Sequence, residues 1–173
     1  HAIEYFHIDV SGKTFLDVGS STGGFTDCLL QNGAQKVYAV DVGTFQMSDT
    51  LRADSRVVVM EQTDIRTATI PEKIDGIVVD VSFISLTKIF PSLSKFVLPG
   101  GCIVALIKPQ FEVGQANLGK GGIVVSEQAR EDAVTAVLKS ATENGISIRD
   151  VTPSPIVGGD GNKEFLLYGL YAL

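Results

Sequence analysis

Short, wholly apolar runs alternate along this chain with amphipathic stretches, the pattern of strands buried on both faces and separated by helices. Residues 14–18 (TFLDV), 36–41 (KVYAVD), 56–60 (RVVVM), 76–81 (GIVVDV), 102–107 (CIVALI), 146–152 and 165–173 read as seven strands. A helix is predicted from Ser21 or Thr22 through Leu30, a brief one over 45–52, and one over 86–96 that is broken at Pro91 and closed by Pro99, Gly100 and Gly101. A long helix over 126–144 carries Ala129, Ala133, Val137, Leu138 and Ala141 at helical spacing, with Ser126 as its cap and Asn144-Gly145 as its stop. Residues 1–8 read as a short helical lead-in. The last two strands have no helix between them, so they form a hairpin-like pair. The expected architecture is α/β: a mostly parallel seven-stranded sheet with one antiparallel strand and helices on both faces.

At 173 residues the chain is expected to be one domain, residues 1–173. No apolar run approaches the ~20 residues that cross a bilayer, and no basic-then-apolar leader opens the chain, so the expected location is the cytoplasm, without a membrane partner. Cys28 and Cys102 fall in apolar patterns and are expected as buried thiols. His1 and His7, the only histidines, lie in no metal-like cluster, and no metal site is expected. The net charge of −6 argues against this chain gripping a nucleic-acid backbone by broad electrostatics.

The chemistry begins at residues 14–25, TFLDVGSSTGGF, a strand running through a glycine turn into a helix. Such a turn at the carboxyl end of a first parallel strand is where doubly wound folds bind nucleotide-like ligands. The spacing is not G-x-G-x-x-G, because three residues separate Gly19 from Gly23. With Asp17 ahead of it, the stretch resembles the D-x-G-x-x-x-G-G opening of S-adenosylmethionine-dependent methyltransferases, although other nucleotide sites and purely structural bends use similar turns. Asp41, at the tip of the second strand, is placed to accept from a ribose diol, and Asp64, after the third, to meet an adenine amine. Both also read as ordinary loop carboxylates.

Two neighbouring strands then end in charged residues, Asp80 and Lys108. A carboxylate within so apolar a run needs a partner, and charges at the functional edge of an open sheet are catalytic candidates. Residues 109–125 contain four glycines and are expected to form a mobile loop over substrate, with Gln110 and Lys120 in reach of phosphate or base. A second glycine-rich connection spans residues 158–161.

Taken in order, DVGSSTGGF, VYAVDVG, VVDVSFISL, IKPQFE followed by GKGG, and GNKEFLL resemble the catalytic domain of the FtsJ-like RNA 2′-O-methyltransferases, in their TlyA/hemolysin A branch. The resemblance implies a Rossmann-like methyltransferase fold, S-adenosyl-L-methionine as cofactor, and ribosomal RNA or ribosomal subunits as partner. It implies a Lys-Asp-Lys-Glu tetrad, three members of which fall on Asp80, Lys108 and Glu164. The first Lys belongs upstream of His1, as does an amino-terminal RNA-binding domain, so the chain is expected to be the catalytic core of a longer protein. The cofactor-binding candidates are Asp17, Gly19, Ser20, Ser21, Gly23, Gly24, Phe25, Asp41, Val42, Asp64, Ile65 and Asp80. A membrane-active haemolysin is disfavoured by the lack of a spanning or basic amphipathic segment.

Overall fold

The computed structural model describes residues 1–173. The seven strands are β1 (Thr14–Val18), β2 (Lys36–Val40), β3 (Val57–Met60), β4 (Ile74–Val79), β5 (Val97–Ile107), β6 (Ile146–Pro153) and β7 (Phe165–Tyr171). They form one sheet in the order β3-β2-β1-β4-β5-β7-β6. β7 runs antiparallel to both its neighbours, and the pairs from β3 to β5 are parallel, as expected from the sequence. The chain moves outward from β1 to β3, then returns to β4 on the other side of β1. That reversal opens a crevice above the carboxyl ends of β1 and β4, where open α/β sheets bind ligands.

Helices α1 (Ala2–Tyr5), α2 (Gly24–Gln31), α3 (Asp49–Arg52), α4 (Leu86–Leu93) and α5 (Glu127–Glu143) cover the sheet. One apolar layer joins Ile77, Val79, Ile103 and Ala105 of the sheet to Leu86, Phe90 and Leu93 of α4 and Val137 and Ala141 of α5. The other joins Phe15, Val37, Val78 and Val104 to Phe6, Leu29, Leu30 and Leu51. The central strands present apolar side chains to both layers, which is why their runs show no alternation.

The structure differs from the sequence expectation in five places. α2 begins at Gly24 with Gly23 in the left-handed region and no side-chain cap, so neither Ser21 nor Thr22 caps it. The helix expected over 45–52 shrinks to one turn behind Ser48, whose hydroxyl accepts from the Leu51 amide. Pro91 is incorporated in α4 instead of breaking it, and the stretch with Pro99, Gly100 and Gly101 belongs to β5. Residues 109–125 are shaped by three single 3-10 turns and a bridge between Leu118 and Val124. Cys28 is exposed on the outer face of α2, and Cys102 is partly covered, its thiol pushed up to about 11 by burial.

Phe90 is fully buried between α4 and the sheet. Phe90→Ala is therefore expected to cost about 3–5 kcal/mol of stability, read as a lower urea midpoint at unchanged m-value.

Candidate active site

The crevice is built on a close backbone approach. After Val18 the chain turns at Gly19, where φ is +81° and a Cβ would lie 2.0 Å from the Asp80 carbonyl oxygen. Only glycine combines that dihedral with that contact. The Gly19 and Ser20 amides both donate to the Val40 carbonyl, at 2.8 and 3.1 Å, so the ends of β1, β2 and β4 are drawn together.

The resulting cavity, about 370 Å³, lies within the range of roughly 300–1,000 Å³ usual for cofactor and small-ligand sites. Its apolar walls include Val18, Val40, Ile65, Val81 and Ile89, and its polar rim includes Ser21, Asp41, Asp64, Asp80 and Ser82. Of the residues predicted to bind cofactor, Gly19, Ser21, Asp41, Val42, Asp64, Ile65 and Asp80 line it. Asp17, Ser20, Gly23, Gly24 and Phe25 do not. A Cβ on Gly23 would meet Leu51 at 2.3 Å and Met47 at 2.6 Å, so this glycine serves packing against the α3 region. Phe25 packs into the apolar layer beneath α2.

The carboxylates in and under the cavity have distinct surroundings. Asp41 takes the Ser21 amide on one oxygen at 2.7 Å and the Gly43 amide on the other at 2.8 Å, which ties the glycine turn to the loop after β2 and leaves the outer lone pairs free. Asp64 forms a bidentate pair with Arg66, whose guanidinium holds the carboxyl below its ordinary value. Asp17 is fully buried behind the turn. Its Oδ2 accepts from the Thr26 hydroxyl at 2.7 Å, while Oδ1 has no partner. Burial first, then the nearby charges of Asp80 and Asp41, raise Asp17 from 3.8 to about 7 against the pull of Thr26. The orphaned oxygen is an acceptor without a donor, a setting suited to an ammonium or other cationic group of a ligand.

Beside the cavity, the Lys108 Nζ lies 2.5 Å from the Asp80 Oδ1 and 3.2 Å from the Ser82 hydroxyl. The β5–β7 register pairs Ile107 with Phe165, so Lys108 and Glu164, one residue beyond that pair, leave the sheet at the same corner. Glu164 is buried and accepts from the Gln110 amide at 2.9 Å. A Cβ on Gly158 would lie 2.6 Å from the Glu164 Oε2, so the second glycine-rich connection folds directly over this carboxylate. Lys13 precedes β1 at the opposite edge of the sheet, far from this corner, and does not substitute for the first Lys of the tetrad.

Sequence reasoning missed three residues here. Phe83, at the cavity rim, is 89% exposed with φ +63°, and its ring centroid is 4.9 Å from that of Phe111, just past Lys108. In the string VSFISL it reads as one more core residue. Glu112 accepts from the Ser85 hydroxyl at 2.6 Å and the Leu86 amide at 2.9 Å, capping α4 from the loop after β5. Asn162 is described below. No linear spacing announces contacts made across 26 or more residues.

The FtsJ-like methyltransferase family matches residues 1–171 of the chain. The chain belongs to that family. The Bacillus subtilis protein YqxC is 47% identical over 171 residues, covering 96% of this chain and 61% of its own. The Mycobacterium tuberculosis protein TlyA, named a 16S/23S rRNA (cytidine-2′-O)-methyltransferase, is 46% identical over 171 residues, covering 96% of this chain and 63% of its own. A solved structure from Streptococcus thermophilus superposes with a TM-score of 0.94 at 44% identity over 99% of this chain and 63% of that one. The chain thus spans 61–63% of the length of the first curated relatives it matches. No helix in this family member is long and apolar enough to cross a membrane.

Asp17 supplies a prediction. Between its ordinary value of 3.8 and the raised value near 7, the unfolded chain ionises while the folded chain stays protonated, so rising pH erodes stability across that window. Asp17→Asn cannot ionise and keeps an acceptor for Thr26. Without cofactor, it is expected to raise Tm by an amount that grows from about pH 4.5 to about pH 8, where it recovers up to about 4 kcal/mol. Thermal unfolding of both proteins across that range tests it.

Proposed function

We propose that this chain transfers a methyl group from S-adenosyl-L-methionine to a ribose 2′-hydroxyl of ribosomal RNA, acting on RNA or ribosomal subunits in the cytoplasm. The observation that carries the reading is the Asp80–Lys108 ion pair at the mouth of the crevice, with Glu164 at the same corner. An amine held by carboxylates beside a cofactor-sized cavity is what activation of a weakly acidic hydroxyl calls for. The name of TlyA, a relative aligned over 96% of this chain, supports the same chemistry.

S-adenosyl-L-methionine supplies an electrophilic methyl carbon on a positively charged sulfur. The crevice suits it: the glycine turn admits close backbone approach, Asp41 offers free lone pairs to a ribose diol, and Ile65 and Ile89 give an apolar wall for a purine. Asp17 provides the buried acceptor for a cationic group. As the 2′-oxygen bonds to the methyl carbon, its proton must leave. Lys108, approached by Asp80 and by the Ser82 hydroxyl, acts as the free amine: its ammonium proton first leaves to solvent, the amine then takes the 2′-hydroxyl proton, and the carboxylates of Asp80 and Glu164 steady the ammonium that is restored. Gln110 keeps Glu164 turned into this corner. The exposed ring of Phe83 offers a stacking face to a nucleobase, the usual device by which proteins hold unpaired RNA bases.

The test supplies radiolabelled cofactor and ribosomal subunits to this chain, to a form extended upstream, and to each with Lys108→Ala. Label recovered on ribose 2′-oxygen, reduced roughly 100-fold or more by Lys108→Ala at unchanged cofactor affinity, is the expected result. Cofactor binding with no label on RNA in any form would instead identify a cofactor-binding domain or a different substrate. Full activity in Lys108→Ala would remove this lysine from the chemistry.

A further inference from the structure

Half of the cationic side chains in this acidic protein are already committed. Of fourteen Lys and Arg residues, seven form ion pairs with carboxylates, among them Arg52, Arg66 and Lys108 near the crevice. Among the uncommitted lysines, Lys13, Lys73 and Lys95 just precede β1, β4 and β5 and so lie at the amino edge of the sheet, and Lys88 is exposed on the first turn of α4. Lys120 and Lys163 differ. Both are exposed, neither pairs with a carboxylate, and they occur on the two connections that meet at the Lys108–Glu164 corner.

A single buried side chain joins those connections. Asn162 is 1% exposed. Its Oδ1 accepts from the Val124 amide at 3.0 Å, and its Nδ2 donates to the Gly122 carbonyl at 3.0 Å and to the Asp160 Oδ2 at 2.9 Å. Its own amide donates to the Asp160 Oδ1 at 3.0 Å, so the one carboxylate near Lys163 in sequence, apart from buried Glu164, is consumed within the turn. These Asn162 hydrogen bonds, the backbone amide's first, and last the nearby charge of Lys108, hold Asp160 below its ordinary value. Lys163 follows the staple directly and Lys120 precedes Gly122 by two residues, so both cations are carried on one rigid unit beside the catalytic corner.

The turn carrying Lys120 has a second feature. Gly121 and Gly122 sit at φ +73° and +75°, with nothing within 4 Å of the place a Cβ would occupy. The turn is closed by the Gly122 amide on the Gly119 carbonyl at 3.1 Å and the Gly119 amide on the Ile123 carbonyl at 2.7 Å, so the two glycines present bare backbone with no side chain to hold off an approaching strand. Glycines here are not required by crowding. They leave room for something to come close.

We infer that the Gly119–Gly122 turn and the Asp160–Glu164 segment, locked together by Asn162, form a phosphate-contact surface for the RNA strand that enters the catalytic corner, with Lys120 and Lys163 as its cations. This rests on RNA being the substrate. It explains how a chain of net charge −6 presents positive charge to a polyanion: the acids of this corner are ion-paired, hydrogen-bonded within the turn or buried, while Lys120 and Lys163 on it are left unpaired. These lysines position the strand and do not touch the reacting atoms.

The experiment measures binding of a ribosomal RNA transcript that the wild-type protein methylates, by filter binding over a series of KCl concentrations, with S-adenosyl-L-methionine affinity and Tm as controls. Lys120→Ala and Lys163→Ala are each expected to weaken RNA binding roughly five- to tenfold at low salt and to reduce the slope of log K against log salt by about 0.7–0.9, the double variant by about twice that. Lys95→Ala, removing the same charge from the opposite edge, is expected to change neither. Asn162→Ala is expected to lower the slope like the double variant; since it can also lower Tm, the exposed lysines carry the decision. Wild-type slopes in both lysine variants, or an equal loss in Lys95→Ala, would overturn the inference while leaving the methyltransferase reading intact. A wild-type protein that binds cofactor and methylates no ribosomal RNA would overturn both.

Discussion

The Gly19 backbone rests against the Asp80 carbonyl, and the site follows from that contact. It fixes how closely β1 and β4 end beside each other, and so how wide the crevice at the switch in strand order can be. A side chain at residue 19 would push the two ends apart by the width of a methyl group. The same contact sets Asp80 at the crevice mouth, from which it reaches Lys108 on the neighbouring strand. The cavity and the Asp80–Lys108 pair are therefore two consequences of one approach.

Around that frame, buried polar side chains replace regular structure. Residues 109–125 have little repetitive hydrogen bonding, yet they are held by Glu112 on the α4 end, Gln110 on Glu164 and Asn162 on the turn at Gly122. Each of these side chains is at least half covered, and each satisfies backbone or carboxylate groups that burial would otherwise leave costly. A glycine-rich segment gains a defined shape this way without becoming a helix or strand. The Lys108–Glu164 corner thereby sits on loops that behave as part of the scaffold.

Electrostatics divide the molecule by edge more than by total charge. Asp41, Asp64 and Asp80 line the crevice, with Asp17 buried just behind them. A few residues away, past Lys108, the acids are paired or covered and free lysines appear. A carboxylate-rich half and a half with unpaired lysines thus adjoin at Lys108. Net charge alone, at −6, reveals neither half.

The sequence by itself determined the strand count, the parallel order with one reversed strand, the glycine turn, and the candidacy of Asp80 and Lys108. These are legible because burial on both faces writes continuous apolar runs, and a charge ending such a run stands out. Glu164 was legible only through family resemblance, since nothing in the pattern around GNKEF marks it. The tertiary structure alone decided which apolar residues face water and which polar ones do not. Phe83 and Asn162 exchange the positions their chemistry suggests, the ring at 89% exposure and the amide at 1%. Likewise Gly23 proved to serve Leu51 and Met47, Pro91 was absorbed into α4, and Cys28 turned outward. Each of these depends on partners distant in the chain, and local spacing carries no record of what a fold will bring alongside.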